Sequence, residues 1–212
     1  MSGNPADNAD NTETNGSYTS HTDTRDVDGD GSVDVVHSIV DAQQHVDYLT
    51  TDGEVLLTDV DTDGDSTFET TVTSDNVTDT TSTDWDNDGN MDTVTYSDSS
   101  TGVVFQEDSL TDDGQVYSSR MDFDGDGTTD VELLDENLDG NFEKAGVDAD
   151  SDGAADAVCR DVTSDGEFDF VAIDSDGDGT LETNLDAADY GASGLGDVSN
   201  FEQMGADHID TP

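Results

Sequence analysis

Apolar residues recur along this chain in short runs that alternate with polar ones, and no stretch carries the three-to-four spacing of an amphipathic helix. The segments SVDVVHSIV, EVLLTDV, TFETTVT, NMDTVTY, GVVFQ, QVYSS, AVCRDV and EFDFVAI are rich in Val, Thr, Phe and Tyr, side chains that fit a pleated, half-buried surface. Asp-Gly pairs separate these segments, and both residues suit tight turns. The pattern predicts an all-β fold, an antiparallel up-and-down meander of about a dozen short strands joined by Asp-Gly hairpin loops at opposite ends of the sheet. Apolar positions fall on both alternation faces, as with Phe168 and Phe170 against Val171 and Ile173. The sheet is therefore expected to curl on itself or to pack in two layers. An elongated cation-wrapped rod with little regular sheet is the alternative.

The turns share more than Asp-Gly. Alignment recovers DVDGDGSVD from position 26, DTDGDSTFE from 61, DWDNDGNMD from 84, DFDGDGTTD from 122, DENLDGNFE from 135, DADSDGAAD from 148, DVTSDGEFD from 161 and DSDGDGTLE from 174. The last five starts are each 13 residues apart, and a fixed period means that one supersecondary unit is reused. Weaker units at Asp52-Gly53, Asp75-Asn76, Thr101-Gly102 and Asp113-Gly114 keep the rhythm without the acids. The period is thus structural, and the acids are an addition carried by eight units. After a four-residue turn, each period leaves about nine residues for a strand, which at about 3.3 Å per residue is about 30 Å long.

Within the eight strong units the first and fifth residues are always Asp: Asp26, Asp61, Asp84, Asp122, Asp135, Asp148, Asp161 and Asp174 at the first place, and Asp30, Asp65, Asp88, Asp126, Asp139, Asp152, Asp165 and Asp178 at the fifth. The third place holds Asp28, Asp63, Asp86, Asp124, Asn137, Asp150, Thr163 and Asp176. The ninth is acidic throughout: Asp34, Glu69, Asp92, Asp130, Glu143, Asp156, Asp169 and Glu182. The sixth is Gly except at Ser66, as expected of a loop that turns sharply while wrapping oxygens around one ion. The eighth place is apolar except at Thr129, and is expected to anchor each loop to the core.

Charge narrows the partners. The chain has 55 acids against 4 Lys and Arg, a formal charge of −51, with 30% apolar residues over 212. Self-repulsion on this scale opposes compaction and a large core is not expected. Nucleic acid and anionic lipid both require basic residues, so neither is an expected partner. Apolar runs are too short for membrane insertion. Cation coordination and solvation in high salt both account for acidity. Of the acids, 45 are Asp and 10 are Glu; a solvating surface has little reason to prefer the shorter side chain, although turns alone favour Asp to some degree.

These units resemble the calcium loops written D-x-D-x-D-G. They depart from the EF-hand member at the twelfth place, where a bidentate Glu is required and this chain has His37, Val72, Thr95, Leu133, Gly146, Cys159, Ala172 and Leu185. With an acid at nine followed by strand-like residues they are instead similar to thrombospondin type 3 and FG-GAP-type loops. That resemblance implies Ca²⁺ held by side chains at one, three, five and nine with the carbonyl at seven. In the last loop these are Asp174, Asp176, Asp178 and Glu182 with Thr180. The sites starting at 135 and 161, with Asn137 and Thr163 at the third place, are expected to be weakest.

Residues 1–25 read as a disordered tail, 26–186 as the repeat domain, and 187–212 as a non-repeat tail in which Ser199 and Glu202 would open a short helix. Cys159 is expected as a half-buried strand residue, and His37 and His45 as surface residues. No nucleophile with its base, phosphate loop or zinc spacing is present, so an enzyme is not expected. The expectation is a calcium-stabilised structural or adhesive protein outside the cell or on its surface, with a cell-surface or matrix protein or glycan as partner. The N-terminus has neither the basic start nor the apolar stretch of a signal peptide, so export would take a leaderless route or follow removal of a signal. The rivals are an acidic cytoplasmic protein of a salt-loving organism with structural Asp-Gly turns, and a low-affinity calcium buffer.

Overall fold

A computed structural model describes residues 22–174, 176–181 and 183–185. Every regular element among them is a β-strand, and all pairings are antiparallel. The expected N-terminal tail keeps only its first part outside this description, because Thr22–Arg25 forms the first strand. The C-terminal tail and its expected helix lie outside the described residues, as do Ser175 and Glu182. The chain divides into two compact units, Met1–Gly89 and Asn90–Pro212.

In the first unit β1 (Thr22–Arg25), β2 (Val35–Val40), β3 (Gln43–Leu49), β4 (Val55–Asp61), β5 (Thr70–Ser74) and β6 (Thr78–Thr83) pair in sequence order. In the second, β7 (Thr93–Asp98), β8 (Val104–Leu110), β9 (Val116–Met121), β10 (Val131–Leu134), β11 (Lys144–Val147), β12 (Ala157–Arg160), β13 (Phe170–Ile173) and β14 (Thr183–Leu185) do the same. The meander predicted from alternation is therefore present, as an open succession of hairpins rather than a closed barrel.

The division of each period differs from expectation. In the tandem region the loop from 148 to 156 takes nine residues and β12 takes four, so a strand of nine residues does not form. The reason is local: the side chain at nine still accepts from the second N–H of the loop, so the loop's ring of bonds occupies nine residues before the strand begins. The weaker units are the tight turns, as at Thr50–Glu54, where the Thr50 N–H donates to the Glu54 carbonyl at 2.7 Å and the Gly53 N–H to the Thr50 carbonyl at 2.8 Å. A two-residue turn at Asp41 (φ 52°) and Ala42 (φ 75°) links β2 and β3. Two consecutive positive φ values are the signature of a type I′ hairpin, whose twist matches that of the strands.

Little apolar surface is buried. Among the described residues five hydrophobic side chains are buried, Val60, Ala145, Val158, Phe170 and Ala172, against thirteen polar or charged ones. The ladder places Val158 opposite Ala172, with Glu132 and Gly146 continuing the same row. Cations are placed sparingly: Arg120 Nε lies 3.2 Å from Glu132 across the β9–β10 pair, and nearly buried Lys144 pairs with Glu136. Cys159 sits half-buried in β12 as expected, and burial pushes its thiol up.

Where a turn has no loop acids, a single carboxylate organises it. Asp98 Oδ1 accepts from the Ser100 hydroxyl at 2.6 Å and N–H at 3.0 Å, and from the Thr101 N–H at 2.8 Å and hydroxyl at 3.0 Å. These bonds, the Ser100 hydroxyl first, hold its carboxyl at about 2 against an ordinary 3.8. A depressed folded-state value means that the stabilisation is complete above the ordinary value and fades as pH falls from there through about 2. Asp98→Asn is expected to lower the thermal midpoint at neutral pH, and the gap from the unsubstituted protein to close over that acid interval. A gap that persists at the acid end would contradict this.

Candidate metal-binding loops

Each strong unit folds around the carboxylate of its first residue. In the loop from 26, Asp26 Oδ1 accepts from the Gly29 N–H at 2.6 Å and Oδ2 from the Gly31 N–H at 2.9 Å. The same pair of bonds, to the fourth and sixth N–H groups, recurs at Asp61 with Gly64 and Ser66, at Asp84 with Asn87 and Gly89, at Asp122 with Gly125 and Gly127, at Asp135 with Leu138 and Gly140, and at Asp174 with Gly177 and Gly179. At Asp148 and Asp161 the sixth N–H bond, from Gly153 and Gly166, is present. For one carboxylate to reach both groups, the backbone must turn left-handed twice, at the fourth and sixth places. The sequence pattern showed the second turn as Gly but missed the first, where Gly29, Gly64, Asn87, Gly125, Leu138, Ser151, Ser164 and Gly177 all have φ between 53° and 82°. The residue types Gly, Asn and Ser were the available signal.

The other acids use one oxygen in the same way. The third residue accepts from the fifth N–H, as Asp28 does from Asp30 at 2.9 Å and Asp63 from Asp65 at 3.0 Å; the fifth accepts from the seventh N–H, as Asp65 does from Thr67 at 2.7 Å. The ninth accepts from the second N–H, as Asp34 does from Val27, Asp130 from Phe123 and Asp156 from Ala149 at 2.6–2.7 Å. First and ninth acids form the floor: Asp61, Glu69, Asp135, Glu143, Asp148 and Asp161 are buried. Third and fifth acids form an exposed rim. At the eighth place Val33, Phe68 and Phe168 are exposed and do not anchor their loops as expected, whereas Met91, Phe142, Ala155 and Leu181 are half-buried. The acids turn inward because they hold the loop's own N–H groups, and this leaves the aromatic groups outside.

Convergence is tightest in the loop from 61. Oxygen atoms of Asp61, Asp63, Asp65 and Glu69 all lie within 4.8 Å of one another. A shell of oxygens about 2.4 Å from a central ion accommodates such separations. Three-acid groups of the same kind are Asp26, Asp28 and Asp34; Asp122, Asp124 and Asp130; and Asp135, Asp139 and Glu143. Like charges so placed repel: for buried Asp61 and Glu69 the cost is about 3.5 kcal/mol at an effective dielectric of about 20. In the loop from 148 the effect shows on Asp150, whose carboxyl is held above the ordinary range by the charge of Asp152 first, with burial, Asp156 and Asp148 adding to it.

Two buried oxygens stand out. Glu69 Oε1 has no hydrogen-bond partner, although Oε2 accepts from the Thr62 N–H and hydroxyl at 2.8 and 2.9 Å. Asp148 Oδ1 also has none. Buried carboxylate oxygens are costly to leave unpaired, and each of these belongs to a loop of converging acids. The two imperfect units behave differently. Asn137 Nδ2 donates to Glu143 Oε1 at 2.5 Å, and the Thr163 hydroxyl donates to Asp169 Oδ2 at 3.0 Å. There the third side chain supplies to the ninth acid the positive end of a dipole, instead of joining it as a ligand.

No family model and no curated protein matches the chain. Among solved structures it is similar to TarM, at 12% identity and TM-score 0.37 over 43% of this chain and 17% of that one. It is also similar to accessory secretory proteins 1, 2 and 3 of Streptococcus pneumoniae, at 12% identity and TM-score 0.34 over 50% and 19%, and to the GtfA/B complex, at 15% and 0.27 over 55% and 18%. The chain spans about a fifth of the length of each of these proteins, and likeness this slight carries no argument about function.

The sixth position yields a paired test of the loop backbone. Ser66 has φ 78° where the other units have Gly, and a side chain in that region costs roughly 1–2 kcal/mol. Part of the gain from removing it returns to the unfolded chain as entropy. Ser66→Gly is expected to stabilise the protein by about 0.5 kcal/mol in denaturant unfolding. Gly127→Ala, at φ 92° with open space around the added carbon, is expected to destabilise it by about 1 kcal/mol. Equal stabilities would show that these dihedrals are not required.

Proposed function

We propose that this protein is a calcium-binding, calcium-stabilised structural or adhesive protein acting at the cell surface or outside the cell, with no catalytic role. The observation that carries the reading is the loop from 61: four acids converge within 4.8 Å around buried Glu69, one of whose oxygens has no partner. A cation bound by that oxygen both removes the buried vacancy in hydrogen bonding and offsets the repulsion. Carboxylates on a flexible loop, with rim residues free to adjust, suit the adaptable shell of Ca²⁺ better than the strict octahedron of Mg²⁺. Because the unfolded chain has no such arrangement, binding free energy becomes folding free energy. This matters in a chain with five buried hydrophobic side chains among its described residues. The loops of extracellular modules work at about 0.1–1 mM calcium, a range that suits adhesion and scaffolding rather than cytosolic buffering. The sites from 135 and 161 are the weakest of the set, because Asn137 and Thr163 already serve their ninth acids.

After chelation, millimolar calcium is expected to raise the thermal midpoint by well over the change given by magnesium or by potassium chloride at matched ionic strength. Glu69→Gln is expected to reduce the calcium stoichiometry by one while the far-ultraviolet dichroism keeps its strand signature. Recovery of the full midpoint in molar potassium chloride alone would overturn the reading in favour of simple charge screening.

A further inference from the structure

The backbone of the ninth residue is used twice in the tandem units from 122, 135 and 148. Its N–H closes its own loop: Asp130 donates to the Met121 carbonyl at 2.8 Å, Glu143 to Leu134 at 2.9 Å, Asp156 to Val147 at 2.8 Å and Asp169 to Arg160 at 2.8 Å. Its carbonyl accepts from the first residue of another loop. Asp148 N–H donates to the Asp130 carbonyl at 2.9 Å, Asp174 to Asp156 at 2.8 Å, and Asp161 to Glu143 at 2.9 Å. These partners are not successive units. Antiparallel strands send successive loops to opposite ends, so loops 26 residues apart in sequence share an edge about 10 Å apart, two strand spacings. Neighbours on an edge also touch: a carbon added at Gly166 would come within 3.1 Å of Asn141 Oδ1, and Gln115 Nε2 donates to the Leu138 carbonyl at 3.3 Å.

We infer that calcium binding is coupled along each edge of the second unit and not along the chain. The loops from 122, 148 and 174 form one linked row, and those from 135 and 161 form the other. This rests on the calcium reading above. The acid at the ninth place, in the loop's floor, and the acid at the first place of the next loop are joined through a single backbone hydrogen bond. An ion that fixes Asp130 therefore orients Asp148, whose Oδ1 is buried and without a partner. The row is continued by Asp156 and Asp174. Sequence-adjacent loops, such as those from 135 and 148, are separated by a whole strand and have no such bond between their first and ninth residues.

The sixth glycine of each loop reports its occupancy, because its N–H bonds to the first carboxylate in all five: Gly127, Gly140, Gly153, Gly166 and Gly179. Their amide resonances can be followed in the full chain during calcium titration. Asp152→Asn removes a rim acid from the middle loop. It is expected to move the midpoints of Gly127 and Gly179 to about fivefold higher calcium, while those of Gly140 and Gly166 stay in place. Asp152→Glu keeps the charge but misplaces the carboxylate, and is expected to give the same edge-selective pattern, which bulk electrostatics would not. Equal shifts at all four glycines, shifts confined to Gly140 and Gly166, or no shift beyond Gly153 would each overturn the coupling while leaving calcium binding intact. An unsubstituted chain in which none of the five responds to calcium would instead remove the reading on which the coupling rests.

Discussion

The first aspartate of each unit holds the architecture together. In six of the units its two oxygens accept the fourth and sixth N–H groups of the same loop, and at Asp148 and Asp161 the sixth alone of these, and to do so it must sit inside the ring that they form. Everything else in the loop follows from that position. The backbone turns left-handed twice, the remaining acids are brought over the same space, and the ninth residue closes the ring just before the chain enters the next strand. An aspartate can do this because its carboxylate is one carbon from the backbone. A glutamate would place its oxygens past the N–H groups, and among the first, third, fifth and ninth places Glu is found only at the ninth.

This design reverses the usual distribution of side chains. Carboxylates are buried at Asp61, Glu69, Asp135, Glu143, Asp148 and Asp161, while Trp85 and Phe123 are 65% and 71% exposed. Burial of apolar surface is modest, with five hydrophobic side chains buried among the described residues, and the backbone ladder with its loop hydrogen bonds supplies specificity. Each carboxylate spends part of its accepting capacity on N–H groups and keeps the rest. The loops are thus ordered by their own backbone, and on the calcium reading what is left over would hold the cation. In the units from 135 and 161 that remainder is taken up by Asn137 and Thr163, so a loop of the same shape persists with less need of an ion.

The alternation of Val, Thr and aromatic residues and the spacing of Asp-Gly pairs were enough to establish strands, their antiparallel meander and the eight loops, because each feature is a local consequence of backbone dihedrals and side-chain period. The recurrence of acids at one, three, five and nine anticipated a convergence that all four positions share in the loop from 61, whereas the groups from 26, 84 and 122 leave out the fifth acid and that from 135 the third residue. Tertiary structure decided what depends on distance across the sheet. The strands are shorter than the period suggests because the side chain at nine bonds back to the second N–H of its loop, a contact that composition does not show, and the inward turn of the acids runs against the ordinary preference for apolar anchors. Only the folded sheet revealed that Asp130 lies beside Asp148 and Glu143 beside Asp161. Those bonds lie at the ends of strands paired directly with each other, β10 with β11 and β11 with β12; a meander already implies that alternate loops share an edge, and only the folded register decided which of their atoms meet.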